Sequence, residues 1–143
     1  MGNKQTDTRD ALIENRGVQM TDYVNVGFGD DGTAVYVATI PKGAVLLDVI
    51  VNLTAVFDDS GTDYLTVGTA LNPDAYVDDL DVSSGTGVSV LSMARDAGTA
   101  LVPTVPMTAD TPIYAQYDGQ NSNSTAGALT VSLVWVPNAV KAP

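Results

Sequence analysis

The chain is predicted to be all-β, a two-sheet antiparallel β-sandwich of jelly-roll-like type, and three features of the sequence predict it. Apolar residues alternate with period two along two long segments, Ala44 to Phe57 and Leu129 to Trp135. Shorter alternating runs lie between and before them, separated by clusters of Gly, Pro, Asp and Asn that supply turn geometry. All but one of the 17 acidic residues are aspartate, and Thr, Val and Gly are abundant. Aspartate competes for its own backbone and suits turns, while β-branched residues suit a pleated surface.

The first 17 residues stand apart: they are polar, lack period-two alternation and are expected to form an arm outside the sandwich, extended or partly helical. Asp7 as N-cap and Gly17 near the C-terminal end would frame a short helix over Thr8 to Asn15. Fully extended, the arm would reach ~55 Å. Residues 18–143 are assigned to one domain, a size that suits a single core. Its strands are expected at Tyr23 to Gly27, Thr33 to Ile40, Ala44 to Phe57, Tyr64 to Gly68, Tyr76 to Asp81, Gly87 to Met93, Leu101 to Val105, Thr111 to Tyr117 and Leu129 to Trp135. In the longest, Val45, Leu47, Val49, Val51, Leu53, Ala55 and Phe57 share the phase expected to face the core. The last strand stops at Pro137, which has no N–H to give a ladder. The very unequal strand lengths favour two packed sheets over a closed barrel.

Charge and composition then exclude function classes. The net charge is −11, and the arm, with Lys4, Arg9 and Arg16 against Asp7, Asp10 and Glu14, contributes none of it. So acidic a body repels phosphate backbones and anionic headgroups, and no nucleic-acid or membrane partner is expected. No apolar run approaches the ~20 residues of a spanning helix, and the N-terminus lacks the ~7 to 15 apolar residues of a secretory signal, so the chain is expected to remain in the cytoplasm where it is made. With no cysteine there is no disulfide framework and no thiolate; with no histidine there is no Ser-His-Asp or Cys-His triad. No enzyme and no cofactor are predicted.

Paired carboxylates are the acid/base option that composition leaves. Asp58, Asp59 and Asp63 in one loop, or Asp78, Asp79 and Asp81 in another, could serve a glycoside hydrolase, but turn aspartates usually bond their own backbone. The single tryptophan, Trp135, falls on a core-facing phase and offers no sugar platform. Asp74, Asp78, Asp79 and Asp81 are the best local Ca²⁺ set, yet they lack EF-hand spacing and adjacent residues of a strand point to opposite faces, so no metal site is assigned. Gly27-Phe28-Gly29 lacks the following helix and Lys-Ser pair of a phosphate loop. Gln120 to Thr125 (QNSNST) reads as a polar surface loop, and Met20, Met93 and Met107 as scattered packing residues. Tyrosine is enriched where one ring face is dry and the hydroxyl wet, so Tyr64, Tyr76, Tyr114 and Tyr117 are assigned to an oligomer interface, with packing at the core edge as the alternative.

Three segments carry a family resemblance. Ile40-Pro41-Lys42-Gly43 leads into a long strand, Leu65 to Gly68 (LTVG) precedes Asn72-Pro73-Asp74, and Thr111 to Ala115 pairs with Ala126 to Val131. From about Ala38 to Pro137 the chain thereby resembles small virion proteins of tailed bacteriophages. The resemblance implies a jelly-roll-like capsid decoration or cement protein that binds the major capsid protein as a homo-oligomer, a dimer or trimer, in the virion. The arm lies outside the shared pattern; Lys4, Arg9, Leu12, Ile13 and Arg16 are the residues expected to hold it across a neighbouring shell subunit. A tail, baseplate or fibre component is the alternative, and a Ca²⁺-dependent carbohydrate-binding module the third reading.

Overall fold

A computed structural model describes residues 17–92 and 105–137. Nine strands lie among them: β1 (Gln19–Met20), β2 (Val24–Gly27), β3 (Ala34–Ile40), β4 (Val45–Ala55), β5 (Asp63–Gly68), β6 (Val77–Asp81), β7 (Gly87–Ser92), β8 (Thr111–Gly119) and β9 (Ala128–Val136). The arm expected over residues 1–17, but for Gly17, lies outside the described residues, as do Met93 and most of the expected strand at Leu101 to Val105. Pro137 ends β9 as expected.

The pairing is nested. β5 pairs with β6, β4 with β7, β3 with β8 and β2 with β9, all antiparallel, so the chain doubles back on itself as one long hairpin. Rolling that hairpin sets β9 beside β4 and β8 beside β5. Two sheets result: sheet A in the order β2-β9-β4-β7, its β2 edge prolonged by β1 along β9, and sheet B in the order β3-β8-β5-β6. This is the strand order of an eight-stranded jelly roll, two Greek keys in two layers.

Alternation decides what each sheet buries. On β8, Ile113, Ala115 and Tyr117 point inward; on β5, Asp63, Leu65 and Val67; on β9, Leu129, Val131 and Leu133. Each large apolar side chain buried in this layer contributes about 1.5–3 kcal/mol relative to exposure. β4 departs from the uniform phase expected for it. Leu46 stands opposite Trp135 and Asp48 opposite Val134, so Leu47 is an extra residue on the bulged strand. The bulge reverses the phase: Leu46 is buried at 2% exposure while Leu47 is 37% exposed, and Val49, Val51 and Leu53 carry the core face onward. A second bulge at Thr54 turns its hydroxyl to the Ala128 carbonyl at 3.0 Å and leaves Ala55 half-buried.

Two glycines set where loops lie against the sandwich. A Cβ on Gly68 would sit 2.2 Å from the Asn72 carbonyl oxygen and 2.5 Å from the Pro73 backbone, so only glycine lets the 69–73 turn fold back onto β5. Gly127, at φ 141°, lets the chain enter β9 against the Phe57 ring, which a Cβ would meet at 2.4 Å.

Candidate interaction surfaces

At one end of the sandwich the loop after β4 and the loop between β8 and β9 are joined by carboxylates. Asp58 accepts the Thr125 N–H at 2.7 Å, the Thr125 hydroxyl at 2.7 Å and the Ala126 N–H at 2.9 Å. Asp59 accepts Gly61 N–H at 2.7 Å, Asn123 N–H at 2.9 Å and Asn121 N–H at 3.1 Å. Asn123 returns a contact through its side-chain oxygen, which accepts the Ser60 N–H at 2.9 Å. From a neighbouring turn, Asp31 accepts the Gly119 N–H at 2.9 Å. The Gln120 to Thr125 segment, expected to be a plain surface loop, is thus tied through Gln120, Asn121, Asn123 and Thr125 to the loop facing it.

Beneath this latch lies Asp63, 99% buried, whose Oδ1 accepts the Tyr117 hydroxyl while Oδ2 has no partner among the described residues. Tyr117 has a single proton, so Ser124, 2.6 Å from the same oxygen, donates to it. Burial first, and then the bond to Asp63, hold the Tyr117 phenol well above its ordinary value. The N–H of Ala126, with the hydroxyl and N–H of Thr125, holds the Asp58 carboxyl low. Burial pushes Asp59 up, but the N–H groups of Asn123, Gly61 and Asn121 outweigh it and leave it low. The oxygens of Asp58 and Asp59 are thus spent on backbone donors, mostly of the facing loop rather than of their own turn, which suits holding loops together rather than moving protons.

Of the other aspartates singled out, Asp81 accepts the Ser83 hydroxyl at 2.5 Å and the Ser83 N–H at 2.8 Å, and that hydroxyl first, then the N–H, lowers its titration. Among the described residues no group of three His, Cys, Asp or Glu is placed to hold a metal ion.

The four tyrosines assigned to an interface separate. Tyr117 is fully buried against the Phe57 ring, centroids 4.1 Å apart, and Tyr76 is buried with its hydroxyl 3.9 Å from the Met107 sulfur. Neither ring can reach a partner, which corrects their assignment: Tyr117 shares the inward phase of Ile113 and Ala115. Tyr64 and Tyr114 are half-buried on the outer face of sheet B, where Tyr114 meets exposed Tyr36 edge-on at 6.0 Å. Tyr114, Gln116, Ala34, Thr69, Ala70 and Pro73 line a hollow of about 240 Å³ there. Beside it the 69–73 turn, closed by Thr69 N–H to the Asn72 carbonyl at 2.9 Å, holds Leu71 out at 99% exposure. The same side of the molecule carries Asp118 and, on β6, Asp78, Asp79 and Asp81.

The outer face of sheet A is different in kind. Met20, Tyr23 and Val88 stand 54%, 69% and 65% exposed around a groove of about 390 Å³, with Ile50, Asn52, Thr130 and Ser132 completing its lining. None of these seven is charged. Reading the sequence did not single this face out, because Ile50, Val88 and Val134 sit on different strands and only the register aligns them. The arm residues Lys4, Arg9, Leu12, Ile13 and Arg16 lie outside the described residues.

No known family pattern matches the chain, and no curated protein matches it. Solved structures do. A chain of the cyanophage Pam1 capsid asymmetric unit superposes with a TM-score of 0.62 at 21% identity, covering 86% of this chain and 86% of that one. A chain of the acidic stable capsid structure of Helicobacter pylori bacteriophage KHP30 superposes with a TM-score of 0.64 at 12% identity, covering 88% of this chain and 93% of that one. At these identities the likeness is one of fold, and it extends over nearly the whole of each chain.

Proposed function

We propose that the chain is a structural protein of a bacteriophage virion, and within the virion a capsid decoration or cement protein. The observation that carries the reading is the jelly-roll likeness, end to end, to chains from two phage capsids. The sequence resemblance over Ala38 to Pro137 points the same way independently. The chemistry fits: the loop carboxylates are spent on backbone donors, and two outer faces offer apolar groups to a neighbour.

On this reading the chain is made in the host cytoplasm, assembles as a dimer or trimer and binds the major capsid protein, reinforcing the shell by buried contact rather than by turnover. The arm, with Lys4, Arg9, Leu12, Ile13 and Arg16, lies across the neighbouring shell subunit and supplies the basic groups that the acidic body lacks. Two measurements test it. Electron microscopy of virions should place the chain at repeated sites over the head; a ring on the tail would overturn the decoration role. Removing residues 1–17 should leave the sandwich folded while abolishing retention on purified shells, and undiminished binding would remove the arm from the account.

A further inference from the structure

We propose that in the free protein the N-terminal arm of one copy docks on the outer face of sheet B of a second copy, with Leu12 and Ile13 over the hollow beside Tyr114 and with Arg9 and Arg16 toward the aspartates around it. The virion reading lays the same arm across a shell subunit. Here its acceptor is another copy of the chain before any shell is present, and the inference does not rest on that reading.

The charges of the arm cancel in sum but not in space. At 3.6 residues per turn, Arg9, Leu12, Ile13 and Arg16 fall on one side of the helix expected from the sequence, two cations around two aliphatic groups. Asp7, Asp10 and Glu14 fall on the other side. A face of that kind fits an apolar surface bordered by carboxylates.

Sheet B offers such a surface. Tyr64 on β5 stands opposite both Asp118 on β8 and Asp81 on β6, and all three point outward, so an aromatic ring lies between two carboxylates. A guanidinium is attracted by the face of such a ring and by the charges beside it. Back along β8 from this row lies the hollow lined by Tyr114 and Ala70, and Asp110 lines its far margin next to exposed Leu71. The apolar part of the face thus has acid at both ends.

Charge chooses the occupant. Half of the six lysines and arginines of the chain, Lys4, Arg9 and Arg16, stand in the arm, while the described residues hold only Lys42. The arm is therefore what an acidic face attracts from a second copy, although the two bodies repel.

The tether chooses which copy. Gln19 is already paired with Trp135 on sheet A, and from there back to Ile13 three extended residues and three helical ones span at most about 15 Å. Sheet B lies ~10 Å beneath sheet A, its outward side chains are further off on the far side, and Tyr114 is set in from the edge strand β3 on β8. The arm of the same copy falls short of the hollow.

Sedimentation equilibrium of the full-length protein tests the proposal. The wild type should associate, and association should weaken as salt is raised, because it joins opposite charges. An arm variant, Arg9→Glu with Arg16→Glu, and a face variant, Ala70→Lys with Asp118→Lys, should each weaken it roughly tenfold or more. Mixing the two should bring part of it back, since the intact face of the first meets the intact arm of the second. Val88→Lys, on the outer face of sheet A, should leave association unchanged, and circular dichroism should report the same β fold for all the variants. A monomeric wild type overturns the proposal, as does association that tightens with salt, survives either double variant or is not recovered on mixing. Loss of association in Val88→Lys also overturns it, since the contact would then lie on sheet A.

Discussion

The latched loop end and the outer face of sheet A invert the usual placement of residues in opposite directions. At the loop end, Asp59 and Asp63 are turned inward and buried, beside Asp58, and these carboxylates are held by N–H and O–H donors from elements more than 50 residues away in sequence. On sheet A, Met20, Tyr23 and Val88 are turned outward and left in water. The contrast teaches that polarity alone does not say which part of this molecule is structure and which is surface for a partner. Carboxylates bonded across the two loops hold the loop end together, and exposed apolar side chains gather on the outer face of sheet A.

The contrast can be broken most severely at Tyr117. Tyr117→Ala removes an aromatic group from the core and the donor to Asp63, and is expected to cost about 3–5 kcal/mol in denaturant unfolding. Tyr117→Phe keeps the ring but leaves both oxygens of Asp63 without a donor, at about 1–3 kcal/mol. Equal losses for the two variants would show that the hydroxyl, rather than the ring, carries the whole effect.

Acid should loosen the latch next. Asp58, Asp59 and Asp81 titrate below the ordinary carboxylate value when folded. The unfolded chain therefore takes up these protons first, so their stabilisation is fully present above about pH 4 and is lost as pH falls through the depressed values. The melting temperature should be flat from neutral pH into the mildly acid range and then fall, and Asp58→Asn should lower the plateau while flattening part of that fall. The smallest effect belongs to the other region: Val88→Ser, on the exposed face, should change monomer stability by no more than about 0.5 kcal/mol. A larger loss would mean that the face is already serving the fold.

The strands were legible in the sequence because period two survives wherever one side of a sheet is buried, as along Leu129, Val131 and Leu133. The bulge in β4 was not legible. Val45, Leu46 and Leu47 are three apolar residues in a row, so both phases look equally suited to a core, and only pairing with Trp135 and Val134 chooses Leu46. β1, two residues long, carries no period at all. The latch was half legible. That Asp58 and Asp59 bond backbone could be expected of turn aspartates, but the partner is a loop more than 60 positions further on, and no local pattern reveals that. The burial of Tyr117 has a signal in the sequence, its phase with Ile113 and Ala115, which the polar hydroxyl obscures. Asp63 likewise keeps phase with Leu65 and Val67, and its charge hides that.

The nested pairing orders events in time as well as in space. β9, the last of the nine described strands to leave a ribosome, occupies the interior of sheet A, between β2 and β4, which were made long before it. Until it emerges, those two have no common neighbour and their apolar sides stay wetted. Closing sheet A must therefore wait for residues 128–136, and a nascent fragment that stops short of them has only the pairing of β4 with β7 to form in this sheet.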